Sequence, residues 1–201
     1  MRTLLLALVP LFLALGCGTH SGGESVVLAA PADSTESFGT VQPFELTDQT
    51  GQKVTLEDLK GHAWAACFVF TRCTGPCPLV SSTMQKLQSE LKDKDVRLVS
   101  VTVDAPFDTP QVLAQYAEAL GADPKRWKFL TGDEQFIAGW IRASFLSPVE
   151  RDTQQPVGQS ISHRTSIEAV DKQGQVRGFY TGEDASQLEL LRQRLEWLQK
   201  Q

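Results

Sequence analysis

Trp64-Ala65-Ala66-Cys67-Phe68-Val69-Phe70-Thr71-Arg72-Cys73-Thr74-Gly75-Pro76-Cys77-Pro78 is the stretch on which the fold turns. Its first seven residues form an unbroken apolar run of strand length, the pattern of a strand buried on both faces. A short turn-forming segment follows. From Pro78 to about Leu91, Leu79, Val80, Met84, Leu87 and Leu91 recur at helical spacing, with proline at the helix start. Val96 to Val103 then alternates and is rich in β-branched residues, a second strand. Strand, helix, strand is a βαβ unit, which predicts a parallel pair with a right-handed crossover.

Downstream, Thr109-Pro110 opens a helix that Gly121 ends. Trp127 to Leu130 reads as a short strand, and Asp133 caps a helix running to about Ala143. Ser166 to Val170 is a strand that turns at Asp171-Lys172-Gln173-Gly174 into Gln175 to Tyr180, with glycine at the left-handed position. Leu188, Leu191, Leu195 and Leu198 stripe one face of a last helix. The expected fold class is α/β, with a central mixed sheet flanked by helices. This element order resembles the thioredoxin-like fold. Its additions are an N-terminal extension around Pro43 to Leu59 and a long loop near Ser147 to Ser162.

The N-terminus bears on the compartment. Met1-Arg2-Thr3 carries one positive charge, and an apolar run from Leu4 to Leu15 is broken only by Pro10. That is the pattern of a signal peptide. A permanent membrane span needs about 20 apolar residues. Ala14-Leu15-Gly16-Cys17 resembles a bacterial lipoprotein signal, although the usual order has leucine at the place of Ala14 and a small residue at that of Leu15. The resemblance makes residues 1–16 a signal peptide and Cys17 the lipid-bearing N-terminus, with membrane residence through its acyl chains. An ordinary signal peptide with an incidental cysteine is the plainer alternative. Gly18 rather than aspartate weighs weakly against inner-membrane retention in a Gram-negative cell. Residues 17–38, rich in Gly, Ser, Ala and Thr, read as a flexible tether. Residues 39–201 form one domain of ordinary size. The expected location is exported and membrane-anchored, on the periplasmic or extracytoplasmic face.

Charge excludes one class of partner. The net charge is −5, and −6 once Arg2 is removed with the signal. There is no basic run, so no nucleic-acid partner is expected.

The chemistry centres on Cys73 and Cys77. They sit where a buried strand ends and a helix begins, with Arg72 next in sequence. Helix-start N–H groups and a neighbouring cation both favour thiolate. Thiolate serves disulfide exchange and soft-metal capture alike. Three residues separate the two cysteines, where thioredoxin-type reductases use two. The reductases' cis-proline before the facing strand is also missing. That stretch is His163-Arg164-Thr165-Ser166. Two thiolates and one imidazole make a soft, low-coordinate set suited to Cu(I) and able to hold Cu(II). A plain structural disulfide is the bland alternative in an exported protein. His163 taken alone reads as a loop histidine, His62 as a surface turn residue, and His20 as incidental to the tether. Cys67, inside the apolar run, reads as a small core residue. Trp127, Trp140 and Trp197 read as core. Asp104 and Asp108 read as turn and cap chemistry rather than an acidic metal site.

Four segments in order carry a family resemblance. Phe70 to Pro78 looks like the copper-motif segment of the SCO/SenC family. Val101-Thr102-Val103-Asp104-Ala105-Pro106-Phe107-Asp108-Thr109-Pro110 resembles its next signature, as does Gly121-Ala122-Asp123-Pro124 with Trp127 to Gly132. His163, eight residues before Asp171, matches the family's histidine ligand position. The likeness spans roughly Pro43 to Gln199. It implies copper bound by Cys73, Cys77 and His163. It also implies a role in maturing the copper A centre of cytochrome c oxidase, with oxidase subunit II as partner, by delivering copper or reducing the target cysteines. The chain departs from the family pattern at Ser162, where aspartate is usual, at Arg164 beside the ligand, and at Glu168 in an otherwise apolar strand. Three classes stay open: a copper-binding assembly factor, an exported thiol-disulfide oxidoreductase acting through Cys73 and Cys77, and a peroxiredoxin-like peroxidase. Thr71 fits the last, but the proline expected upstream of it is missing.

Overall fold

Strand β4 (Ala63–Val69) is buried at every one of its seven positions, which is why its sequence cannot alternate. The computed structural model describes residues 31–182 and 184–201, so Cys17, His20 and the signal segment lie outside the described residues. Before β4 come β1 (Gly39–Thr40), β2 (Glu45–Asp48) and β3 (Lys53–Thr55). After it come α1 (Cys77–Glu90), β5 (Val96–Thr102), α2 (Pro110–Ala119), β6 (Trp127–Thr131) and α3 (Glu134–Phe145). A small hairpin, β7 (Glu150–Arg151) and β8 (Ile161–Ser162), encloses a 3₁₀ turn at Val157–Gln159. The chain closes with β9 (Ser166–Val170), β10 (Gln175–Thr181) and α4 (Ala185–Lys200).

Eight strands form one mixed sheet in the order β1-β10-β9-β4-β5-β6-β2-β3. The expected βαβ unit is present: β4 and β5 run parallel, from Ala63 beside Val96 to Val69 beside Thr102. β9 runs antiparallel to β4, Trp64 facing Val170 and Cys67 facing Ile167. The end of β4 and the start of β9 therefore lie side by side at the same end of the sheet's central strands. That juxtaposition brings the cysteine loop and the histidine segment together.

One face of the sheet packs on α3, where Phe145 meets Phe68 at 5.2 Å and Trp64 at 6.5 Å between ring centroids. The alternate residues of β4 point to the other face. There Cys67 Sγ lies 3.2 Å from Ser100 Oγ, and the Ser81 and Tyr116 hydroxyls join α1 to α2 at 2.8 Å. The leucine stripe of α4 is buried. Trp127 and Trp140 are core as expected, whereas Trp197 is only partly buried, 5.2 Å beneath the Arg194 guanidinium. Helix α3 runs two residues past the expected end at Ala143, because Phe145 is fully buried and packing extends the helix. Leu146 then ends it in the left-handed region, at φ 54°.

The first described residues, from Pro31 on, make contacts with the domain, inside the stretch whose composition reads as tether. Residues 31–38 lie along β10 and α4. Arg194, itself fully buried, donates to the carbonyls of Pro31, Ala32, Ser34 and Arg177. Arg177 donates to those of Thr35 and Glu36, and the Phe38 N–H to Val176 O. A polar, glycine-poor strap is thus held by backbone acceptors, which composition does not reveal. Charged hydrogen bonds contribute roughly 1.5–3 kcal/mol each, and Arg194 makes several at once. Arg194→Met is expected to destabilise the domain by roughly 3 kcal/mol, read as a lower urea midpoint. An unchanged midpoint would show that the strap contributes nothing to stability.

Candidate metal centre

The site is built at the end of the sheet where β4 stops. Phe70 O accepts the Cys73 N–H at 3.1 Å, tightening the turn into the cysteine loop. Cys77 is the first residue of α1, preceded by Pro76 with no side-chain cap. Cys77 is 1 % exposed while Cys73 is half-buried, so one thiol faces solvent and the other backs it. The described cysteines, Cys67, Cys73 and Cys77, are all free thiols.

His163 arrives from the start of the β9 segment, 86 residues from Cys77, and its Nε2 lies 3.8 Å from Cys77 Sγ. Its Nδ1 is 2.9 Å from Arg164 O. A carbonyl only accepts, so Nδ1 carries the proton and Nε2 presents its lone pair to the thiol. Burial lowers the His163 pKa, only partly opposed by the Arg164 carbonyl bond, and so favours the neutral imidazole. The Phe70 ring stands edge-on to the imidazole at 6.2 Å. Together Phe70, Cys73, Pro76, Gly158, Ile161 and His163 line a cavity of about 290 Å³.

The thiol electrostatics differ from the sequence expectation. Burial, followed by the hydrogen bond with the Cys73 thiol, raises the Cys77 pKa well above its ordinary value; the Phe70 N–H opposes this only in part. Arg72, adjacent in sequence, turns away from the thiols. Its guanidinium pairs with Asp104, Nε at 3.0 Å, and stacks on Phe107 at 4.0 Å. Its charge is thus spent on a buried carboxylate. Arg164 likewise turns onto the Phe179 ring at 5.2 Å. Among the described residues no three of His, Cys, Asp and Glu form a pre-assembled cage. Cys77 Sγ is the thiol that meets His163 Nε2. The donor set fits a soft ion, and holding one requires both thiols to lose their protons.

Several residues that shape the site were not legible as site residues. Asp108 is fully buried and is not a helix cap; Thr109 caps α2, accepting from the Val112 N–H at 3.4 Å. Asp104 ties Arg72 to Arg151 of the β7 strand, which also pairs with Glu134. Gly158 O accepts the Thr74 N–H at 3.1 Å. A Cβ on Gly158 would sit 2.6 Å from the Thr74 side chain and 3.0 Å from Arg72 O, so a larger residue there has to displace Thr74. Cys67 is core as expected, its thiol pushed up to about 12 by burial. His62 lies at the opposite end of β4, its Nδ1 2.9 Å from an Asp95 carboxylate oxygen.

Fold and site together define a thioredoxin-like α/β domain with a two-thiol, one-imidazole pocket at the end of its first parallel strand. The chain belongs to the SCO1/SenC family, whose model matches residues 32–199. A SCO1/SenC family lipoprotein from Bacillus anthracis superposes with a TM-score of 0.75 at 30% identity, covering 82% of this chain and 98% of that one. BsSco, a member of the Sco family of cytochrome c oxidase assembly proteins with an identified disulfide switch, gives 0.73 at 31%, covering 82% and 96%. Copper-bound ScoI from Bradyrhizobium japonicum gives 0.60 at 26%, covering 75% and 98%. No helix among the described residues is long and apolar enough to cross a membrane.

Proposed function

We propose that this protein captures copper through Cys73, Cys77 and His163 and serves the assembly of the copper A centre of cytochrome c oxidase. The observation that carries the reading is the approach of Cys77 Sγ to His163 Nε2 at 3.8 Å, with Nδ1 tied to a carbonyl. A reductase needs no imidazole at that point, whereas a thiolate-imidazole pair is a ligand arrangement. Likeness to copper-bound ScoI and to the oxidase-assembly protein BsSco supports it. Copper is the cargo, and subunit II of the oxidase is the acceptor. The signal-like N-terminus, with Cys17 lipidated, places the domain on the outer face of a membrane, in keeping with the Bacillus anthracis lipoprotein.

The thiol asymmetry favours a second use of the same pair. The half-exposed Cys73 is placed to attack a partner disulfide, and buried Cys77 to resolve the mixed disulfide. Reduction of acceptor cysteines by Cys73 and Cys77 would prepare them for the metal.

Copper titration of the reduced and the oxidised chain, followed by mixing with an apo copper A domain, tests both. Stoichiometric copper is expected in the dithiol form only, since thiolates and not a disulfide ligate. Transfer of the ion supports delivery. Reduction of the acceptor disulfide without transfer supports the exchange role. Full copper loading of the Cys73–Cys77 disulfide would overturn the shared site.

A further inference from the structure

We propose that Asp108 is a positioning residue for the two thiols, acting through Thr71 and the Phe70 backbone. This rests on Cys73 and Cys77 being the working groups, not on which chemistry they perform. Asp108 is fully buried in the loop between β5 and α2, and no described Lys, Arg or His pairs with it. Instead its carboxylate collects three donors. Oδ2 accepts the Thr71 N–H at 3.1 Å and the Thr102 hydroxyl at 2.5 Å, and Oδ1 accepts the Thr71 hydroxyl. Thr102 is the last residue of β5, so the carboxylate fastens Thr71 to the rigid end of a central strand.

What Thr71 fixes is the peptide that enters the cysteine loop. The preceding Phe70 carbonyl, in the same peptide unit as the Thr71 N–H, holds the Cys73 N–H at 3.1 Å. A shift of Thr71 therefore moves the acceptor that sets the turn at Cys73, and with it the spacing of Cys73 from Cys77 at the start of α1. Donors converge on both carboxylate oxygens. An amide at the same position offers one acceptor and sets its own N–H group against them. Charge-assisted bonds are also shorter and stiffer than neutral ones, which suits a group that must hold a loop rather than merely cap it. Asp108 touches neither thiol, so its effect is on their geometry.

The test uses the full chain carrying Asp108→Asn or Thr71→Val, with Arg194→Met as a destabilised control whose substitution lies in the strap contact. The first readout needs no metal. In glutathione buffers the Cys73–Cys77 disulfide forms as one glutathione disulfide is reduced to two thiols, and the equilibrium constant is measured. A shift of about tenfold is expected in Asp108→Asn and a smaller one of the same sign in Thr71→Val, with less than twofold in Arg194→Met. The second readout is the Cu(II)–thiolate absorption and the copper dissociation rate, which move in the same two variants. If Asp108→Asn fails to fold, Thr71→Val decides. A thiol-disulfide constant within twofold of wild type in the folded variant overturns the proposal, as does an equal shift in Arg194→Met. A wild-type chain that exchanges glutathione but takes up no copper would overturn the copper reading and leave this one standing.

Discussion

His163→Ala is expected to weaken Cu(II) binding by more than about a hundredfold and to bleach its charge-transfer absorption, while the fold is retained. Removing even an outer partner of a metal ligand costs about 10–100-fold, and His163 is proposed as a direct ligand. The imidazole is neutral through burial, its Nδ1 proton is held by Arg164 O, and its Nε2 already faces Cys77. Nothing must reorganise on the histidine side when a metal arrives. Without it, the two thiolates remain. A soft, low-coordinate Cu(I) ion is still well served by such a pair, but Cu(II) is left short of its nitrogen donor. The variant should therefore hold Cu(I) much better than Cu(II), a split seen by titrating each oxidation state separately. Equal losses for both ions would mean that the histidine only props the cavity. Unchanged Cu(II) affinity would remove it from the ligand set.

The sequence made the two halves of this site visible for different reasons. Cys73 and Cys77 stand out because a buried strand ends and a helix begins around them, and local pattern reads both events. His163 was found by its spacing from the Asp171–Gly174 turn, which matches the family; the antiparallel register of β9 on β4 explains why that spacing works. What escaped was everything that depends on side chains meeting across the fold. Arg72 is next to Cys73 in sequence, yet its guanidinium goes to Asp104, so adjacency misjudged the thiol environment. Asp104 and Asp108 look like turn residues because Asp-x-x-x-Asp-Thr-Pro is turn chemistry wherever it occurs, and only their burial shows the different use. Gly158 and the β7–β8 hairpin lie in a stretch with no periodicity, ordered by contact with Thr74 and by Arg151. Strands β2 and β3, of four and three residues at one side of the sheet, read only as a front segment, since so short a strand carries little pattern.

Glu168→Gln is expected to reverse the ranking of stability between acid and alkaline pH. Glu168 sits in the middle of β9, between Ala66 of β4 and Phe179 of β10, with none of its surface exposed. Oε1 accepts the Ser166 hydroxyl at 2.6 Å, and Oε2 has no hydrogen-bond partner. Burial raises the carboxyl to about 8 from an ordinary 4.5; Ser166 and, more distantly, Arg164 pull the other way without overcoming it. Between those two values the folded chain keeps a proton that the unfolded chain has released. Stability is therefore fullest below about pH 4.5 and falls as pH rises toward 8, by up to about 1.4 kcal/mol per unit. The total is at most about 5 kcal/mol, an upper bound because water entry and relaxation ease a buried charge. Glutamine cannot ionise. It keeps an acceptor for Ser166 but buries N–H donors with no evident partner, at roughly 1–3 kcal/mol. At pH 5 the variant is thus the less stable protein, and by pH 9 the more stable one. Urea midpoints measured across that range decide the matter. Curves that stay parallel would mean that the carboxyl is charged at both ends of the range, held by a partner that its buried position does not supply.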